Sequence, residues 1–95
     1  MRYVHGAQVL EPYMEVHFDG PNPYLPLVRR GIVQRRGRTT GIDQHDGCFY
    51  LFAEAPLAAL LGYADEVRES TSGRVTSRMR LNRYVPVDYN DPEAA

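Results

Sequence analysis

Eleven arginines and no lysine supply all the basic side-chain charge of this 95-residue chain, and their placement is the first chemical signal. Arg29, Arg30, Arg35, Arg36 and Arg38 fall between Asp19 and Asp43, a stretch with no acid inside it. Arg74, Arg78, Arg80 and Arg83 fall between Glu69 and Asp88, again with no acid between. Guanidinium groups match phosphate oxygens in a two-pronged geometry, so segregated arginines point to a surface that meets nucleic-acid phosphates. The competing reading pairs them with Asp65, Glu66 and Glu69 across the surface. The net charge of -1 conceals this segregation.

Other reactive residue types are sparse. Cys48 is the single cysteine, which excludes an internal disulfide and a cysteine-based metal site and fits a reducing cytoplasm. It has no local base partner that would make it a nucleophile. His5, His17 and His45 share no metal-ligand spacing, so no metal site is read. Asp43 and Asp46 lie in a turn, where aspartate has a backbone reason to be. A phosphate loop of the G-x-x-x-x-G-K-[ST] type needs a lysine, and there is none. The domain is therefore read as non-catalytic and without a cofactor of its own.

The elements that position these groups follow from hydrophobic period. Val9 to Phe18 alternates, with Met14, Val16 and Phe18 on one side and Tyr13, Glu15 and His17 on the other, a half-buried strand. Asp19 to Pro23 breaks it. Leu27, Val28 and Ile32 give a helical stripe within Tyr24 to Gln34, starting near Pro26, with Arg35-Arg36 in the last turn and Gly37 as its cap. Arg38 to Ile42 reads as a short strand and Asp43 to Gly47 as a hairpin turn. Cys48 to Ala55 is the strongest strand, with Phe49, Leu51, Ala53 and Ala55 on one face and Tyr50, Phe52 and Glu54 on the other. Pro56 opens a second helix whose stripe is Leu57, Leu60, Leu61 and Ala64, ended by Ser70 to Gly73. Arg74 to Tyr84 is the last strand, with Val75, Met79 and Leu81 inward and Arg74, Arg78 and Arg80 outward.

The order βαββαβ predicts an α+β sandwich: a four-stranded antiparallel sheet with two helices on one face. Strands are expected near 12–18, 38–42, 48–55 and 74–84. A chain of this length buries about 60–65% of its unfolded surface, which predicts a thin margin of stability. The other sheet face is left open, and by alternation it carries Tyr13, Glu15, His17, Tyr50, Phe52, Glu54, Arg78 and Arg80. Aromatics and arginines on an open sheet either stack on RNA bases or are covered by a neighbouring domain. Tyr13, His17, Tyr50, Phe52, Arg78 and Arg80 are the candidates for such an interdomain face. No apolar run is long enough to span a membrane, and Met1 to Val9 lacks the apolar core of a signal peptide.

Five segments in order carry a resemblance. Val9-Leu10-Glu11-Pro12 resembles the LLEP that opens the last domain of elongation factor G. Arg35-Arg36-Gly37 resembles the RRG after that domain's first helix, and Ala53-Glu54-Ala55-Pro56-Leu57 resembles AEVPL. Leu61 to Arg68 resembles FGYATDLR, and Ser70 to Arg74 resembles SMTQGRG. The resemblance covers about Val9 to Val87 and implies a ferredoxin-like sandwich, the fifth domain of a translational GTPase. It implies contact with large-subunit ribosomal RNA around the GTPase-associated centre and the sarcin–ricin loop, and packing on sister domains. Arg30, Arg35, Arg36 and Arg38 become the candidate RNA-binding residues. GTP and Mg would then be held by the parent's GTPase domain. Residues 1–8 would be the end of the preceding domain's last helix plus linker, residues 9–87 the domain itself, and residues 88–95 a flexible tail.

Glu11-Pro12-Tyr13 and Thr71 to Arg74 also echo the ribosomal-protection tetracycline-resistance factors, a sister group. An independent RNA-binding module is a further alternative. A small ferredoxin-like enzyme or ligand-binding regulator is a third, for which the sequence offers no catalytic constellation.

Overall fold

The computed structural model describes residues 3–5 and 8–87. Strand β1 (Tyr3–His5) folds back on the start of β2 (Gln8–Pro21), pairing Tyr3 with Leu10 and His5 with Gln8. The sequence reading placed the end of a helix and a linker there; the Tyr3–His5 segment is extended instead. A single 3-10 turn, Asn22–Tyr24, leads into helix α1 (Leu25–Gln34). Then come β3 (Arg38–His45), β4 (Cys48–Pro56), two short helices α2 (Leu57–Leu60) and α3 (Tyr63–Ser70), and β5 (Thr76–Pro86). The expected tail, residues 88–95, lies outside the described residues.

Across the sheet the strands run β3, β4, β2, β5, every neighbouring pair antiparallel, with β1 extending the far end of β2. This is the ferredoxin-like order. The core explains why both helical segments share one face. Met14, Val16 and Phe18 of β2 and Phe49, Leu51, Ala53 and Ala55 of β4 are buried, every second residue of each strand. They meet Val28 and Ile32 of α1, Leu60 of α2, and Tyr63 and Val67 of α3. The intervening strand residues form the open face.

Both longer helices end in the same hydrogen-bonded cap. Gly37 N–H donates to the Ile32 carbonyl at 2.9 Å and Arg36 N–H to the Val33 carbonyl at 3.2 Å. At α3, Gly73 N–H donates to the Arg68 carbonyl at 2.7 Å and Ser72 N–H to the Glu69 carbonyl at 3.3 Å. In this motif the residue just past the helix is left-handed, a place glycine usually fills. Here Arg36 (φ 61°) and Ser72 (φ 55°) fill it. The expected cap residue Gly37 is required for closeness instead: a Cβ on it would lie 2.8 Å from both a side-chain carbon and the carbonyl oxygen of Ile32.

Several sequence expectations are corrected. The second helix is broken, because Leu61 is extended (ψ 125°) and Gly62 is left-handed (φ 77°). The break turns Leu61 outward, 65% exposed, and the buried stripe is Leu60, Tyr63 and Val67. Leu27 is also exposed; α1 buries Val28, Gly31 and Ile32. Strand β5 begins at Thr76 rather than Arg74, since Arg74 N–H closes a turn on the Thr71 carbonyl and Val75 N–H donates to Thr71 Oγ1. Met79 and Leu81 do lie on the helix side, opposite Val16 and Met14, yet they are 40% and 50% exposed. The β3–β4 hairpin is tighter than expected, a two-residue Asp46-Gly47 turn with both φ values positive.

Candidate docking surfaces

The first candidate surface is the arginine cluster around the end of α1. Arg29 and Arg30 stand on its outward side, exposed, and neither has a carboxylate partner among the described residues. One turn on, Arg35 is engaged twice. Its Nη2 donates to Glu66 at 2.6 Å, and its guanidinium carbon lies 3.8 Å from the centre of the Tyr63 ring. Arg36 reaches back to Glu11 at 3.4 Å, and that carboxylate is buried. Arg38, on β3, donates to Glu54 at 2.9 Å on the open sheet face.

The four candidate RNA-binding residues are therefore not one cluster. Arg30 and Arg35 share a groove between α1 and α3, lined also by Leu27, Gln34 and Ser70. Arg36 points toward β2, and Arg38 belongs to the sheet. Glu66 does take an arginine, as the competing reading had it, while Asp65 takes Arg68 of its own helix at 2.6 Å.

The second surface is the open sheet face, and strand register assembles it. Glu15 lies opposite both Glu54 and Arg80, and His17 opposite both Phe52 and Arg78. Asp19 and Asp43 flank Tyr50. All six interdomain candidates, Tyr13, His17, Tyr50, Phe52, Arg78 and Arg80, share this face.

Two carboxylates organise it. Glu54 accepts from Arg83 at 2.9 and 3.2 Å and from Arg38 at 2.9 Å. Those charge-assisted bonds, Arg83 first and Arg38 second, hold its pKa down to about 2 from an ordinary 4.5. Glu15 accepts from His17 at 3.1 Å and from Arg80 at 3.0 and 3.1 Å, and its pKa is lowered by the His17 bond first and Arg80 second. Like charges set directly opposite would repel; here each is neutralised by basic side chains reaching in from the edges. The aromatics are ordered between them: His17 meets Phe52 edge to face at 4.6 Å, His45 meets Tyr50 at 5.3 Å, and Arg83 lies 5.5 Å over Tyr13. Arg78 lines a shallow hollow with His17, Asp19, Tyr50 and Phe52 and has no carboxylate partner among the described residues.

Arg83 and Glu54 were missed as partners in the sequence reading, because their pairing depends on which residues the register sets side by side. Among the described residues no group of three His, Cys, Asp or Glu could hold a metal ion, and no helix is long and apolar enough to cross a membrane.

The described residues thus form a ferredoxin-like α+β module with an arginine-bearing helix and an ordered open sheet face. The sequence matches the family described as Elongation factor G C-terminus over residues 8–94, and the chain belongs to it. A crystal structure from Thermus thermophilus superposes with a TM-score of 0.81 at 26% sequence identity, over 87% of this chain. This chain matches only 13% of that longer chain.

Proposed function

We propose that this domain docks a translational GTPase on the ribosome, with its arginines on large-subunit ribosomal RNA phosphates and its open sheet face against sister domains. The observation that carries the proposal is the family match over residues 8–94, joined to an arginine-bearing helix end. GTP and Mg would be held by another domain of the cytoplasmic parent, a reading supported by the family match and by a sequence whose lack of lysine leaves no phosphate loop of the G-x-x-x-x-G-K-[ST] type.

Ion-pair strength ranks the arginines. Arg29 and Arg30 have no carboxylate partner among the described residues, so a phosphate gains them without competition. Arg35 holds Glu66 at the surface, a bond worth at most about 1 kcal/mol, which a phosphate can displace. Arg36 holds a buried glutamate, and removing one partner of such a pair leaves an uncompensated charge. Arg36 thus supports the helix end more than it reaches outward. The open face favours protein over RNA because Glu15 and Glu54 already neutralise Arg38, Arg80 and Arg83.

The test replaces Arg29, Arg30 and Arg35 with Gln in the protein that carries this domain and measures ribosome co-sedimentation across salt. Binding weakens, and the salt slope falls by about one unit for each phosphate that is no longer neutralised. GTP hydrolysis off the ribosome stays unchanged. Affinity unaltered at both low and high salt would reject the docking role of this helix end.

A further inference from the structure

Strand β5 pairs only with β2 among the described residues, so its outer edge presents unpaired backbone groups. Its two faces differ sharply. Arg78, Arg80 and Arg83 lie on the open-face side, opposite His17, Glu15 and Tyr13. Met79, Leu81 and Tyr84 lie on the helix side, opposite Val16, Met14 and Pro12. Those three are 40%, 50% and 41% exposed, although α3 makes contact with the strand. The register of β5 against β2 shifts at Asn82, which keeps the arginine row and the apolar row each on its own side.

We propose that the outer edge of β5 accepts an extended segment of a partner protein in which acidic and apolar side chains alternate. The backbone edge supplies the hydrogen bonds of an added strand, and the two rows read alternate side chains. Acidic residues meet the arginine row, where opposite charges directly across a strand pair attract. Apolar residues cover Met79 and Leu81. Arg80 and Arg83 are already held by Glu15 and Glu54, so the selective contact falls on Arg78, which has no carboxylate partner among the described residues. Charge also excludes a second copy of this chain. An antiparallel β5–β5 pairing would set arginine against arginine, and like charges directly opposite are destabilising. This inference stands apart from the RNA contact of α1; it concerns the outer edge of β5, beside the open face assigned above to sister domains.

The probe is a synthetic peptide of alternating glutamate and valine, titrated into the isotope-labelled chain and followed by amide NMR shifts and amide hydrogen exchange. Shifts concentrate on Thr76–Pro86, and outward β5 amides gain protection. A lysine–valine peptide leaves β5 untouched. Arg78→Glu, at an exposed position whose folding the spectrum itself reports, weakens the glutamate peptide about tenfold and admits the lysine one. Equal response to both peptides, no change along β5, or self-association of the chain through β5 would each overturn the proposal.

Discussion

Replacing Gly31 with alanine separates packing from propensity. In an exposed helix interior that change stabilises by about 1 kcal/mol, because glycine loses more backbone freedom on folding. Gly31 of α1, however, faces Tyr63 of α3. A Cβ there would lie 1.9 Å from the Tyr63 hydroxyl oxygen and 2.7 Å from its ring carbon Cζ, so the ring has to move. Tyr63 has little room to do so. It is buried, its ring meets Phe18 edge to face at 5.8 Å, and it carries the Arg35 guanidinium at 3.8 Å. Its hydroxyl donates a long hydrogen bond of 3.4 Å to the Val28 carbonyl. Overpacking of this kind costs about 1–3 kcal/mol, and the hydrogen bond and cation–π contact add about 1 kcal/mol together. Against the propensity gain, the net loss is about 2 kcal/mol, a fall in Tm of roughly 10 °C for a domain of this size. Thermal unfolding followed by circular dichroism reads it. In a Tyr63→Leu background the obstruction is gone, and Gly31→Ala should be neutral or stabilising. A higher Tm for Gly31→Ala in the otherwise native chain would refute the reasoning.

Two other perturbations test the sheet. Leu51→Ala, at a fully buried site in central β4, should destabilise by about 2–4 kcal/mol in urea unfolding, and Tyr50→Ala next to it much less; equal losses would mean that the two faces of β4 are misassigned. Glu54 has a folded-state pKa depressed to about 2, so it contributes stability that is present above its ordinary value of 4.5 and lost as pH falls toward about 2. Glu54→Gln should therefore melt below the native chain near neutral pH, with the gap closing through that acid window; a gap independent of pH would count against the Arg83 and Arg38 bonds.

Strand period made most of the sheet legible, because a sheet with one buried face writes its pattern directly into the chain. Phe49, Leu51, Ala53 and Ala55 show this without a break, and all four are fully buried. The period told the side but not the cover: Met79 and Leu81 face the helices' side of the sheet and find little there. The second helix misled because Leu57, Leu60, Leu61 and Ala64 also fit a stripe, whereas Gly62 adopts a backbone that resets the phase. The docking surfaces were half legible. The six open-face candidates do share a face, since alternation alone places them. Which carboxylate holds which arginine was not readable, because Arg80 and Glu15 are 65 positions apart and meet only through register.

Strand β2 carries a consequence for how the molecule is made. It pairs with β4 along one edge and with β5 along the other, and Asp19 and Thr76 meet only when the last strand is in place. During synthesis the first of these edges can close as soon as Pro56 has emerged. The second stays open until the chain has been made as far as Pro86. Through that interval β2 exposes a bare strand edge, the kind of surface on which nascent chains associate wrongly. Contacts so distant in sequence also close slowly. The vulnerable moment of this domain is thus the interval before β5 docks, and a truncation that removes β5 should leave a chain that aggregates rather than one that is merely less stable.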